Sequence, residues 1–286
     1  MHEKENFLLK LKEFAISNHK LVKYIYHMNL SRTSVCTDLY GSPFEQFEIN
    51  YLLPIQLGSI DISFSNSSLF MLLVVSTLVA FFALSTYKAG IVPNAWQSVA
   101  EMGYMFISDL IKEQIGSKGF KYFPLIFTTF MFILCCNVVG MIPYTFTVTS
   151  HIIVTFGLAF GIFFGVQVVA ASHHGLHFFS FFLPSGVPLP LLPFLVLIEL
   201  ISYSFRVISL AVRLFANMMS GHTLLKILSG FSWTMLSMGG FLSIASVVPL
   251  LVIFALTGLE LAIAFLQAYV FTTLTCIYLN DGIHLH

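Results

Sequence analysis

The stretch FLVLIELISYSFRVISLAVRLFANMMSGHTLLKILSGF, residues 194–231, decides how this chain is built. It is apolar except for a thin polar stripe. At about 1.5 Å per residue, a continuous helix of this length measures about 57 Å, nearly twice the ~30 Å hydrocarbon thickness of a bilayer. A second apolar stretch of similar length covers residues 241–279. Helices this long must tilt, bend or break, and Pro249 and Gly258 give the second one places to bend. The pair reads as a long, strongly tilted helical hairpin whose polar stripe faces another protein.

Composition agrees with a membrane setting. Of 286 residues, 57% are hydrophobic and 9% charged, and mean hydropathy is +0.90, against roughly 25% charged residues in soluble domains. Thirteen Lys and Arg balance thirteen Asp and Glu, so no basic field points to nucleic acid. Between Phe123 and Asn280 the charged residues are Glu199, Arg206, Arg213, Lys226 and Glu260. Each stands inside apolar sequence and needs a reason to be there.

The remaining chain divides by the same logic. Residues 1–41 form a polar extension with a basic bias, expected to be solvated and open to processing; 42–68 lead into the membrane domain of 69–286. Residues 69–87 carry no charge and are long enough to span, with Ser65, Asn66, Ser67 and Ser68 at the capping end. In 95–115, Trp96, Val99, Met102, Gly103, Phe106, Ile107, Leu110 and Ile111 recur at helical spacing, with Gln97, Glu101, Lys112 and Glu113 off that stripe. That pattern predicts an amphipathic helix lying along the membrane surface. Spans follow at 122–142 and 152–172, joined by turn material, and the proline-rich run from Pro184 to Pro193 breaks regularity before the hairpin. The fold class is therefore an all-α polytopic membrane protein of five to six helices.

Chemistry-bearing motifs of soluble enzymes are missing. No Gly-rich phosphate loop, HExxH or GxSxG occurs, so neither a catalytic centre nor a cofactor is expected. Cys36, Cys135, Cys136 and Cys276 lack metal-ligand spacing and read as small buried hydrophobes. His173, His174 and His177 have helical metal-ligand spacing but no carboxylate or cysteine nearby, and read as loop residues rather than a metal site.

The stripe itself carries the function. Glu199, Arg206 and Arg213 are spaced by seven, so they drift only about 20° per step and share one face, which Ser202, Ser209 and Asn217 extend. Arg213 is central in its helix, too far from either end to snorkel. With a pKa above about 12 it cannot relay a proton, yet it attracts any carboxylate that reaches it. His222 lies about 13 Å along the helix on one side of it and Glu199 about 21 Å on the other. Glu260 and Gln267, again seven apart, lie on the second helix, where an antiparallel hairpin can bring Glu260 near His222. Two proton paths, one to each face and kept apart by Arg213, follow from this layout.

The strings SFRVISLAVRLFANMMSGHTLLKILSG and LTGLELAIAFLQAYVFTTLTCIYLND, with SPFEQFEI, NAWQSVAE, KEQIG, GMIPYTFTVTSH and GLHFFSFFLPSGVPLPLLPFLVLIELISY upstream, resemble the a-subunit family of F-type rotary ATP synthases. The wording is similar to the mitochondrial form of plants and protists and covers Ser42 to His286. The resemblance implies a stator in the mitochondrial inner membrane, pressed against a ring of c subunits that each bear one carboxylate. It also implies other membrane-sector and peripheral-stalk subunits, and lipids, as neighbours. Arg213 takes the position of the family's essential arginine, Glu199 its matrix-side acid, Asn217 its polar neighbour and Gln267 its polar position facing the arginine. His222 and Glu260 take the intermembrane-space half-channel, with acid and histidine arranged as in the mitochondrial members.

Two other classes are weighed against this. A stand-alone proton-coupled transporter would line a substrate cavity with Glu199, Arg213 and Glu260, but such carriers usually show internal repeats, and none is evident. A haem-binding cytochrome needs facing histidines within two spans, whereas seven of the ten lie in extramembrane or loop segments.

Overall fold

The computed structural model describes residues 42–57, 60–61, 63–87, 89–142, 145–175 and 192–283. The extension of 1–41, most of the proline-rich run and His177 lie outside these residues. Four short strands come first: β1 (Tyr51–Leu53) pairs antiparallel with β4 (Phe64–Ser65), enclosing the antiparallel pair β2 (Gln56–Leu57) and β3 (Ile60–Asp61). The helical reading did not anticipate this nested ribbon. In the run YLLPIQL, Tyr51 and Ile55 suit extended backbone and Pro54 resists helix.

Helix α1 (Asn66–Thr86) starts at Ser65, whose amide donates to Ser68 Oγ at 3.0 Å. α2 (Ala95–Gln114) follows, then α3 (Phe123–Gly140), a short 3-10 turn (Val148–Ser150) and α4 (Ile152–His174). α5 (Leu192–Met238) has 47 residues, α6 (Phe241–Ala245) is one short turn, and α7 (Val247–Ile283) has 37. Among the described residues, five stretches are long and apolar enough to cross a membrane, those built on α1, α3, α4, α5 and α7; α2 is not one of them.

The helix ends have local causes. α5 runs beyond residue 231, where the reading stopped it, because nothing from Ser232 to Met238 opposes helix. It ends where Gly239 and Gly240 adopt φ of 71° and 62°, conformations that favour glycine. The second long helix is interrupted at Ser246. Pro249 sits three residues on: its ring excludes the carbonyl of Ala245, four residues back, and Ala245 is the last residue of α6.

The core is one cluster shared by α2, α3, α4, α5 and α7. Ile107 and Ile111 meet Ile126, Phe130 and Ile133, while Val207, Leu210, Ala211 and Leu214 of α5 pack with Ala268, Phe271 and Cys276 of α7. Of the α2 stripe only Ile107, Leu110 and Ile111 are buried. Trp96, Val99 and Met102 stay exposed, and Val99, Met102 and Phe106 line an apolar cavity of 420 Å³ with Phe81, Phe130 and Phe265. The buried faces of α5 and α7 leave the opposite faces open and rich in Phe, Leu and Ile. That is the surface a helix presents when lipid or another subunit is its solvent.

Candidate functional site

The hairpin register places the polar residues. α5 and α7 run antiparallel, pinned where Asn217 Nδ2 donates to Gln267 Oε1 at 3.1 Å. Gln267 is 1% exposed, deep within the helix pair, and its Nε2 has no partner among the described residues. Asn137 of α3 closes the same level, donating from Nδ2 to the Ala264 carbonyl at 3.3 Å. Along the helix pair two cavities lie to either side of this short polar level, and Asn217 itself lines one of them.

The first cavity, 590 Å³, lies on the α5 side that precedes Asn217. It is lined by Ser202, Arg206, Ser209 and Arg213 of α5 and by Leu274, Tyr278 and Asp281 of α7. Arg213 is exposed at its inner end, in the middle of an otherwise apolar helix. Arg206 stands 5.9 Å from the Tyr203 ring centroid, a distance at which a guanidinium is drawn to the ring face. Tyr203 is itself held by Gln167 of α4, whose Nε2 donates to its hydroxyl. Glu199 is half-buried one turn before Ser202 and does not line this cavity.

The second cavity, 180 Å³, lies beyond Asn217. Asn217, Ser220, Gly221 and His222 line one wall and Glu260 and Ile263 the other. Glu260 and His222 therefore share one space. Gly221 makes it possible, since a Cβ there would sit 2.9 Å from the Glu260 carboxyl carbon. His222 has a further neighbour: its Nε2 is 3.2 Å from the hydroxyl of Thr147, in the buried segment between α3 and α4. In that segment His151, just before α4, stacks on Phe146 with centroids 5.1 Å apart. Burial lowers the pKa of its imidazole from the ordinary histidine value.

Five of the six residues singled out from sequence fall into two groups, and the sixth, Glu199, lines neither cavity. Asn217, His222, Glu260 and Gln267 meet around the polar layer and the second cavity, and Arg213 faces the first. Asp281, Tyr278 and Thr147 were missed. For Asp281 the signal was present: 260, 267, 274 and 281 continue the sevenfold spacing, and both Leu274 and Asp281 line the first cavity. No local pattern marks Thr147, whose partner is 75 residues away. His174 contacts the Ile283 carbonyl at 3.2 Å, tying the ends of α4 and α7, and no metal-binding cluster of His, Cys, Asp or Glu occurs among the described residues.

Residues 68–280 match the family model described as ATP synthase A chain. A protein of Marchantia polymorpha named ATP synthase subunit a is 60% identical over 249 residues, 86% of this chain and 99% of its own length. One of Brassica napus with the same name is 59% identical over 252 residues, covering 86% and 97%. One of Chondrus crispus, also so named, is 54% identical over 245 residues, covering 86% and 97%.

Proposed function

The chain belongs to the ATP synthase A chain family, and from that membership we propose that it is the proton-translocating stator subunit of an ATP synthase membrane sector, in the mitochondrial inner membrane. It makes no ATP itself. Its partners are a ring of c subunits, each with one carboxylate, together with other membrane-sector and peripheral-stalk subunits. The observation that supports this reading is the pair of cavities, on opposite sides of the Asn217–Gln267 layer along one helix pair, with Arg213 at the inner end of the larger.

A proton enters from the intermembrane space through Glu260 and His222 and passes to a c carboxylate. Once neutral, that carboxyl can face lipid, so the ring turns away with it. A c carboxyl arriving from the other direction meets the 590 Å³ cavity, loses its proton toward Asp281 in that cavity and on to Glu199 outside it, and reaches Arg213 as an anion. The guanidinium favours the ionised form and cannot itself carry the proton onward. Each charge crossing the field is worth about 2.3 kcal/mol per 100 mV, which suffices to bias rotation. A stand-alone carrier would need none of these partners, and family membership weighs against it.

The test is association. On native gels the chain should migrate with a large ATP-hydrolysing assembly, and depleting it should abolish ATP-driven acidification of membrane vesicles while hydrolysis by the soluble sector persists. Migration as a free protein with transport activity of its own would overturn the proposal.

A further inference from the structure

The Thr147 hydroxyl has two neighbours, and together they fix what it can do. It lies 3.2 Å from the carbonyl oxygen of Gly140, at the end of α3, and 3.2 Å from His222 Nε2. A hydroxyl has one proton to give and lone pairs to receive with, whereas a carbonyl can only accept. With its proton on Gly140, Thr147 meets His222 as an acceptor, so Nε2 must carry the hydrogen. The structure assigns Thr147 as the positioning residue of the inlet histidine: it fixes His222 as the Nε2–H form and leaves Nδ1 as the nitrogen that gains and loses the translocated proton.

Three features make this a built contact. Thr147 is 4% exposed, so water does not compete freely for its hydroxyl. Its backbone is anchored by Ser150, whose hydroxyl donates to the Thr147 carbonyl at 2.6 Å. Gly140 also leaves room for it, since a Cβ at that position would lie 2.7 Å from Thr147 Cγ2. A helix C-terminus has carbonyls without intrahelical partners, so the end of α3 supplies the acceptor that orients the threonine. A ring so held keeps one tautomer through each cycle, where a free ring would divide its time between two. The acceptor also supports the doubly protonated ring, because imidazolium donates from both nitrogens.

This assignment rests on the proposed inlet role of His222. The test compares Thr147→Ser, which keeps the hydroxyl, with Thr147→Val, which keeps the shape and loses it, in vesicles containing the whole complex. ATP-driven proton pumping is read per assembled complex. Thr147→Val should slow pumping about 3- to 10-fold, the span of one net hydrogen bond, while Thr147→Ser should pump near the wild-type rate. Gly140→Ala, which displaces the threonine without altering it, should slow pumping in the same way. In a His222→Gln background neither Thr147→Val nor Gly140→Ala should add a further loss. Wild-type pumping by Thr147→Val, equal loss in the serine and valine variants, or losses that multiply with His222→Gln would each overturn the assignment. Unimpaired pumping by His222→Gln alone would instead remove the inlet role of the histidine, and this inference with it.

Discussion

Gly221 and Glu260 are fitted to each other: the carboxyl of one occupies the space that a side chain on the other would fill, with the Glu260 Cδ 2.9 Å from where a Cβ would stand. The missing side chain keeps an acid from α7 against the backbone of α5, beside His222. Inside a membrane protein such proximity is costly unless it is used.

Gly221→Ala should therefore displace the carboxyl and slow ATP-driven pumping by up to about 100-fold, the cost of misplacing a transfer group by on the order of 1 Å. Glu260→Asp, with a shorter reach, should restore part of the rate in the alanine background while slowing the wild type. Pumping assays on the two single variants and the pair check this. Equal rates for the alanine variant with and without Glu260→Asp would show that the fit does not matter.

The Asn217–Gln267 hydrogen bond should couple the two helices energetically. Removing one partner leaves a buried amide unsatisfied, at a cost of about 1–3 kcal/mol, whereas replacing both by apolar groups costs less. Asn217→Leu, which strands the buried Gln267 amide, should lower the thermal stability of the purified complex more than the double change Asn217→Leu, Gln267→Leu does. Calorimetric or thermofluor midpoints of the variants read this directly, and additive losses would contradict it.

Asp281 lines the larger cavity with Arg206, Arg213 and Tyr278. On the proposed path, Asp281→Asn removes an acceptor for the outgoing proton but leaves the Arg213 guanidinium in place. Pumping should fall several-fold, with passive proton leak unchanged in vesicles held at an imposed potential. A leak without slowing would place Asp281 in the barrier instead of the outlet.

How much of this was readable beforehand depended on range. The five spanning helices follow from apolar length, a property local to each stretch, and the α5 stripe follows from spacing by seven. Arg213, Asn217 and His222 were legible because they lie on one helix. The near approach of Glu260 to His222 needed only the antiparallel hairpin. Asp281 belonged to the same sevenfold series and was within reach. Thr147 was not, because its bond to His222 joins residues 75 apart through the packing of the α3–α4 connection on α5, and no periodicity encodes that. The β ribbon before α1 was missed for a different reason. Its strands are two or three residues long, too short for an alternating pattern to register.

The most direct measurement is ATP-driven proton pumping and passive proton leak in vesicles carrying Arg213→Ala, with assembly matched to wild type on native gels. Loss of the guanidinium should abolish coupled pumping while the complex still inserts and assembles, because on the proposed path a c carboxylate arriving at the larger cavity would no longer meet a fixed cation. Pumping at the wild-type rate in that variant would mean that Arg213 does not separate the two proton paths.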